Sequence, residues 1–276
     1  MAILDMNNNV ENMGITSIQR IADRFAVIAY DVFDVRHKGE VPGLDYDIYI
    51  SSGGPGDPME GDGTWDKAYF DLMDQLWSYN REHDRKKFVF FICHSFQMIC
   101  HHLGIGQISL RRKESFGIVP VDKTDAGMND PLLAALHTPF FGADFRRYEV
   151  IYPDADRLRE LEAAVTALET PDLDIDDNRA LMAVRFSDAW FGTQFHPEAH
   201  PDGMVHYLQR PDKKEMILTQ YGQKVYDDMM HNTLDPDRLA HTRDHILPGF
   251  LQSAIQHLDA FNSSSPFLHS ILQEEC

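Results

Sequence analysis

The chain has 276 residues and carries 25 lysines and arginines against 44 aspartates and glutamates, a net charge of −19. That length buries a core, as one large α/β domain or as a domain with an appendage. The acidic field, densest near Asp172 to Asp177, repels phosphate backbones and anionic lipid and sets aside nucleic-acid and membrane-surface roles. No uninterrupted apolar run exceeds six residues, Phe25 to Tyr30 and Phe88 to Cys93 being the longest, against the roughly 20 that span a bilayer. The opening MAILDMNNN has no basic segment followed by an apolar stretch, so a soluble protein without a secretory signal is expected. Cys93, Cys100 and Cys276 are an odd set without framework spacing, which points to thiols in a reducing cytoplasm.

Short apolar runs alternate with helical patterns through the first half, as in a parallel sheet covered by helices on both faces. Ala2 to Met6 reads as a strand, Ile15, Ile18, Ala22 and Phe25 as one helix face, and Ala29 to Val35 as an extended stretch. Asp47 to Ile50 is a short strand that runs into Ser51-Ser52-Gly53-Gly54-Pro55-Gly56-Asp57-Pro58, where glycine and proline end it. Trp65, Tyr69, Leu72, Leu76 and Tyr79 mark a helix, with Asp62 or Thr64 as its cap. Phe88 to Cys93 is unbroken in apolar character, as a central strand buried on both faces requires. A helix follows through Phe96, Ile99 or Cys100, and Leu103, with Gly104 as its C′ stop and His101-His102 complementing its C-terminus.

Gln107 to Tyr152 is expected to be rich in strand, and the acidic stretch Asp154 to Asn178 to interrupt it. Ala183 to Phe186 and Trp190 to Phe195 form a hairpin pair around Ser187-Asp188, and the second strand runs into His196-Pro197-Glu198. Beyond Pro201 the periodicity turns helical. Ile217, Tyr221, Val225 and Met229 stand at intervals of four, Asp235-Pro236 reads as cap and N1, and Leu251, Ala254, Leu258 and Phe261 follow a break at Pro248-Gly249. Residues 1–200 are therefore expected to be the α/β domain and 201–276 a helical extension, with Ser263 to Pro266 as local punctuation.

Cys93 falls where a buried strand ends and a helix begins. A thiol at such a turn projects above the sheet edge, and the positive end of the helix favours its thiolate. Cys100, mid-helix, reads as a structural thiol. A thiolate nucleophile needs a base and the base an orienting carboxylate; His196 and Glu198, at alternate positions of a strand end, supply both. Gly53 to Gly56 let backbone amides approach an oxyanion where side chains would obstruct. No Lys-Ser/Thr follows that loop, which argues against a nucleotide site. His241 and His245, spaced i, i+4 beside Asp244, lack a third adjacent ligand and read as a solvated helix face; no metal or other cofactor is expected.

SSGGPGDP, FICHSFQ and GTQFHPE, in this order, resemble a class I, triad-type glutamine amidotransferase domain over about residues 2 to 200. The resemblance implies an α/β fold of flavodoxin-like kind, a mostly parallel sheet flanked by helices, here with the helical C-terminal extension. It implies Cys93 as nucleophile, His196 as base and Glu198 as orienter. Gly54 and the His94 backbone amide become oxyanion donors, and Gln97 and Gly53 line the substrate. Phe91 and Ser95 replace the two glycines of the family elbow, and Phe145 to Val150 occupies the substrate-binding segment without its common histidine. Arg146, Arg147 and Tyr148 are the residues of that segment expected at the substrate.

The activity so implied is hydrolysis of the glutamine side-chain amide through a cysteine thioester. No synthetase module or ATP-binding loop follows in sequence, so the ammonia acceptor is expected on another chain. Phe91-Ile92-Cys93 with Gln97 is also similar to the elbow of homoserine O-acyltransferases, which take an acyl group from a coenzyme A thioester, although Arg146-Arg147-Tyr148 replaces their His-Ser-Arg segment. A γ-glutamyl hydrolase on the same triad and a non-catalytic binding subunit are further alternatives.

Overall fold

The computed structural model describes residues 1–171 and 178–264. Asp172 to Asp177, Ser265-Pro266 and Cys276, named above, lie outside the described residues. In chain order the first half runs β1 (Ala2–Asp5), α1 (Gly14–Ala22), β2 (Asp31–Asp34), α2 (Val35–Lys38), β3 (Ile48–Ser51), α3 (Trp65–Glu82), β4 (Phe88–Ile92) and α4 (His94–His102). The second half begins with β5 (Gln107–Lys123), α5 (Asp125–Asn129), β6 (Phe140–Ile151), α6 (Ala155–Leu161), β7 (Ala164–Glu169), β8 (Leu181–Arg185) and β9 (Trp190–Thr193). It closes with α7 (Pro201–Gln209), α8 (Pro211–Gln220), α9 (Gln223–Leu234), a π turn (Pro236–Ala240) and α10 (His241–Ser264). Among the described residues no helix is long and apolar enough to cross a membrane.

One sheet of order β2-β1-β3-β4-β9-β8-β7-β5-β6 carries these elements. The pairs from β2 to β9 are parallel, and β9-β8-β7-β5-β6 is antiparallel. The sheet is thus mixed: its parallel half takes β1 to β4 from the βα alternation of the first hundred residues and β9 from much later in the chain. β4 lies between β3 and β9 and all five of its residues are buried, as its unbroken apolar run requires. α4 ends in a Schellman motif, in which the Gly104 amide (φ 69°) reaches the His101 carbonyl and the Ile105 amide the Cys100 carbonyl.

Three expectations are corrected. The acidic stretch after Asp154 holds α6 and β7, because the Asp154 carboxylate caps α6 through the Asp156 and Arg157 amides. The stripe Ile217, Tyr221, Val225, Met229 belongs to two helices, since Gly222 at φ 86° separates α8 from α9. Pro248-Gly249 does not break α10: Pro248 is buried inside that helix, and packing of Ile246, Leu247, Phe250 and Leu251 holds it across the lost hydrogen bond.

α7 to α9 cover the outer face of the β5-β6 hairpin, where Met204, Leu208, Ile217, Tyr226 and Met229 bury Ile118 and Ala143. α10 instead enters the main core. Phe250 meets the rings of Phe90 at 5.1 Å and Phe88 at 6.2 Å, so the last helix supports the strand that ends at Cys93. Phe250→Ala should therefore destabilise the fold by about 3–5 kcal/mol, as loss of a buried aromatic does, measured by denaturant unfolding. A change below about 1 kcal/mol would show that α10 only leans on the core.

Candidate active site

Cys93 caps α4 with φ 50° and ψ −100°, a left-handed backbone that a non-glycine residue adopts only when its surroundings enforce it. Its amide donates to the Thr193 carbonyl of β9 and its carbonyl accepts from the Gln97 amide, so the turn is held on both sides. Ser95, which stands where the resemblance places a glycine, stitches the turn: its hydroxyl accepts from the Ile92 amide at 3.0 Å and contacts the Ser51 carbonyl at 2.8 Å. Phe91, at the other glycine position, finds its room across the ladder. It pairs with Gly192 of β9, where a Cβ would stand 3.2 Å from Phe91 and 2.8 Å from Phe96.

His196 lies beyond the end of β9 rather than within it. A backbone bridge to β6 places it, its amide donating to the Ala143 carbonyl at 2.8 Å, while Phe195 packs over Gly142, where a Cβ would be 2.6 Å from its ring. The Nδ1 of His196 is 2.8 Å from Oε1 of Glu198, whose side chain is buried. Burial disfavours the charged imidazole, but Glu198 and then the Cys93 sulfur outweigh it and hold the His196 pKa well above its usual value. Glu198 also faces the first turn of α1, where a Cβ on Gly14 would stand 3.4 Å from Oε1 and the helix dipole favours negative charge.

The glycine loop closes the site from the β3 side. A Cβ on Gly53 would lie 2.6 Å from Cε1 of His196 and 3.5 Å from Cβ of Cys93, so only a bare backbone fits there. Among the described residues the Gly54 and His94 amides have no backbone acceptor, as donors kept for a ligand oxygen would be. The His94 side chain is buried, and that burial, reinforced by the nearby Arg36 charge and opposed by Asp57, takes its pKa down to about 3; the ring is neutral.

The remaining residues expected from sequence are distributed unevenly. Gln97 is buried and directs its amide nitrogen to the Tyr148 carbonyl at 2.8 Å and to Oε1 of Gln194 at 3.0 Å. Gln194 in turn offers Nε2 to the Cys93 sulfur at 3.7 Å, so Gln97 reaches the nucleophile through a second glutamine. Tyr148 is half-buried, and the neighbouring Asp57 carboxylate of the glycine loop raises its phenol pKa. Arg146 does not stand there, a correction to the expected substrate contact. Its guanidinium is enclosed with Asp144 at 2.8 Å and Glu169 at 3.2 Å, two carboxylates that balance its charge inside the protein, while Nη1 is buried without a partner among the described residues. Arg147 points outward, pairing with Glu114 at 2.9 Å on the surface.

Gln194, Ser52, Gly14 and Arg36 escaped the sequence reading. Gln194 and Ser52 sit inside the quoted motifs, which was the available signal; Gly14 and Arg36 had none. His241 and His245 are also corrected: their rings lie 4.1 Å apart beside His137 and are half-buried, not a solvated face. Among the described residues no His, Cys, Asp and Glu group is arranged to hold a metal ion.

The two described thiols differ as the geometry requires. Cys100 is fully buried, and burial raises its pKa well above the ordinary thiol value. Iodoacetamide should modify Cys93 at least about 100-fold faster than Cys100 at neutral pH, read by peptide mass after timed quenching. Equal rates would remove the distinction between them.

The comparisons with known proteins bear on the fold and the family. A glutamine amidotransferase from Thermotoga maritima superposes with a TM-score of 0.65 at 14% identity, over 93% of this chain and 96% of that one. One from Methylobacillus flagellatus does so with a TM-score of 0.54 at 13% identity, over 94% and 92%. The glutaminase domain of a Trypanosoma brucei CTPS, solved with bound acivicin, gives 0.50 at 14% identity, over 72% and 86%. At such identities these likenesses speak for the fold. No protein of curated function matches the sequence significantly. The family description "Glutamine amidotransferase class-I" matches residues 3–210, most of the chain, and the protein belongs to that family.

Proposed function

We propose that this chain hydrolyses the side-chain amide of glutamine through a thioester on Cys93 and delivers the ammonia to a synthetase or other acceptor subunit on another chain. The observation that carries the reading is the meeting of three distant segments: Cys93 on its strained turn, His196 paired with Glu198 at 2.8 Å, and the bare Gly53 backbone against both. Residues 1–200 form the catalytic unit in this reading, and the described helices from Pro201 to Ser264 brace it.

The chemistry follows from the positions. Glu198 engages Nδ1 of His196, leaving Nε2 for the thiol proton. The Cys93 thiolate attacks the amide carbon, and the developing oxyanion is taken by the Gly54 and His94 amides. His196 returns the proton to the leaving nitrogen, ammonia departs, and a γ-glutamyl thioester remains. Water, deprotonated by His196, then attacks the thioester; glutamate leaves and the thiol is restored. A partner that reorders the glycine loop would act as the switch for an enzyme slow in isolation.

Brief incubation with glutamine followed by acid quench should leave a γ-glutamyl mass on Cys93, and Cys93→Ala should remove the adduct and lower ammonia release by about 10⁴-fold or more. Acylation from succinyl-CoA in the presence of homoserine, with none from glutamine, would contradict the reading and transfer the site to acyl-transfer chemistry.

A further inference from the structure

Behind the glycine loop, on the side away from His196, lies a half-buried guanidinium that no carboxylate among the described residues meets. Arg36 on α2 donates from Nη1 to the Pro55 carbonyl at 2.7 Å and to the Met6 carbonyl at 3.1 Å. Its Cζ stands 5.2 Å from the centre of the Trp65 ring. Burial lowers its pKa, and its Nε is enclosed without a partner. Among the described residues no Asp or Glu forms a salt bridge with it. A half-buried cation without a counter-ion costs stability, a cost that the fold carries at this position.

What it acts on is Gly54. A Cβ there would overlap the Met6 carbonyl and stand 3.1 Å from Nη1 of Arg36, whereas the Cβ direction of Gly53 leads to His196 and Cys93. The two glycines thus divide the loop: one turns its bare side to the reacting groups, the other to the arginine. A second staple reinforces the first, since the Ser52 hydroxyl accepts from the Met6 amide and donates to the Gly53 carbonyl, each at 2.9 Å. Met6 is therefore tied to the loop on both sides of the Gly54 amide, by Ser52 before it and by Arg36 after it.

We propose that Arg36 is a positioning residue for the oxyanion hole: it fixes the Gly54 amide toward the reacting carbonyl and places an uncompensated positive charge behind the developing oxyanion. It touches no reacting atom in this arrangement. Its effect appears only as negative charge grows on the substrate oxygen, so it belongs to the transition state rather than to substrate binding. The assignment rests on the glutaminase reading given above.

The test uses the full chain with glutamine, measuring ammonia release, and separately the rate at which iodoacetamide alkylates Cys93, a displacement that forms no oxyanion. Arg36→Met should lower kcat by about 100-fold with KM within about two-fold, while alkylation of Cys93 stays at the wild-type rate. Arg36→Lys, which keeps the charge but not the fork, should recover at least about ten-fold of the loss. An Arg36→Met enzyme with kcat near wild type overturns the proposal. So does a raised KM with kcat retained, which would make Arg36 a substrate ligand, and so does alkylation that falls in parallel with kcat in both variants, which would make its role purely structural. A wild type that forms no γ-glutamyl adduct on Cys93 removes the glutaminase reading itself, and the proposal with it.

Discussion

The site depends on a gap too narrow for one methyl group. Backbone from the loop after β3 passes so near the imidazole of His196 that a Cβ on Gly53 would lie 2.6 Å from the ring, and that passage brings the loop, the nucleophile turn and the histidine together. Everything around it serves to keep these segments from separating. Ser95 binds the nucleophile turn to the end of β3, the Ala143 bridge fixes His196 against β6, and Ser52 binds the glycine loop to the exit of β1. The strain at Cys93 persists because these contacts over-determine it.

Much of this was legible in the sequence because each motif interrupts a regular pattern. An apolar run of six residues that stops at Cys93 is a buried strand meeting a helix, and SSGGPGDP after a short strand is a loop in which side chains are excluded. The Ser187-Asp188 turn pairs β8 with β9 in the structure, so the approach to His196 could be read as well. Gln194 was legible and passed over: it lies within GTQFHPE but its amide has no chemistry of its own, only contacts to Gln97 and Cys93.

What the sequence did not convey is decided by tertiary contacts. Arg146 looks like a ligand for a carboxylate and finds two, Asp144 and Glu169, inside the protein; nothing local distinguishes an arginine that neutralises a buried acid from one that binds substrate. Arg36 looks like a surface charge on a short basic turn, and acquires meaning only when the loop 19 residues later places the Pro55 carbonyl on it. Pro248 marks a break by local rules, yet the burial of Ile246, Leu247, Phe250 and Leu251 carries α10 through it. The polar segment after Asp154 hid a helix because a capping carboxylate and a run of charged residues read equally well as a loop.

Glu198 and the Cys93 sulfur together hold a proton on His196 against the effect of burial. The imidazole nitrogens of His196 in ¹⁵N-histidine-labelled protein report this by NMR as pH is raised. Because the folded pKa is raised, the ring should remain doubly protonated as pH passes the ordinary histidine value of about 6.5 and lose its proton only well above it, whereas Glu198→Gln or Cys93→Ala should bring the titration down. A wild-type His196 that titrates near 6.5, unmoved by either substitution, would contradict the account.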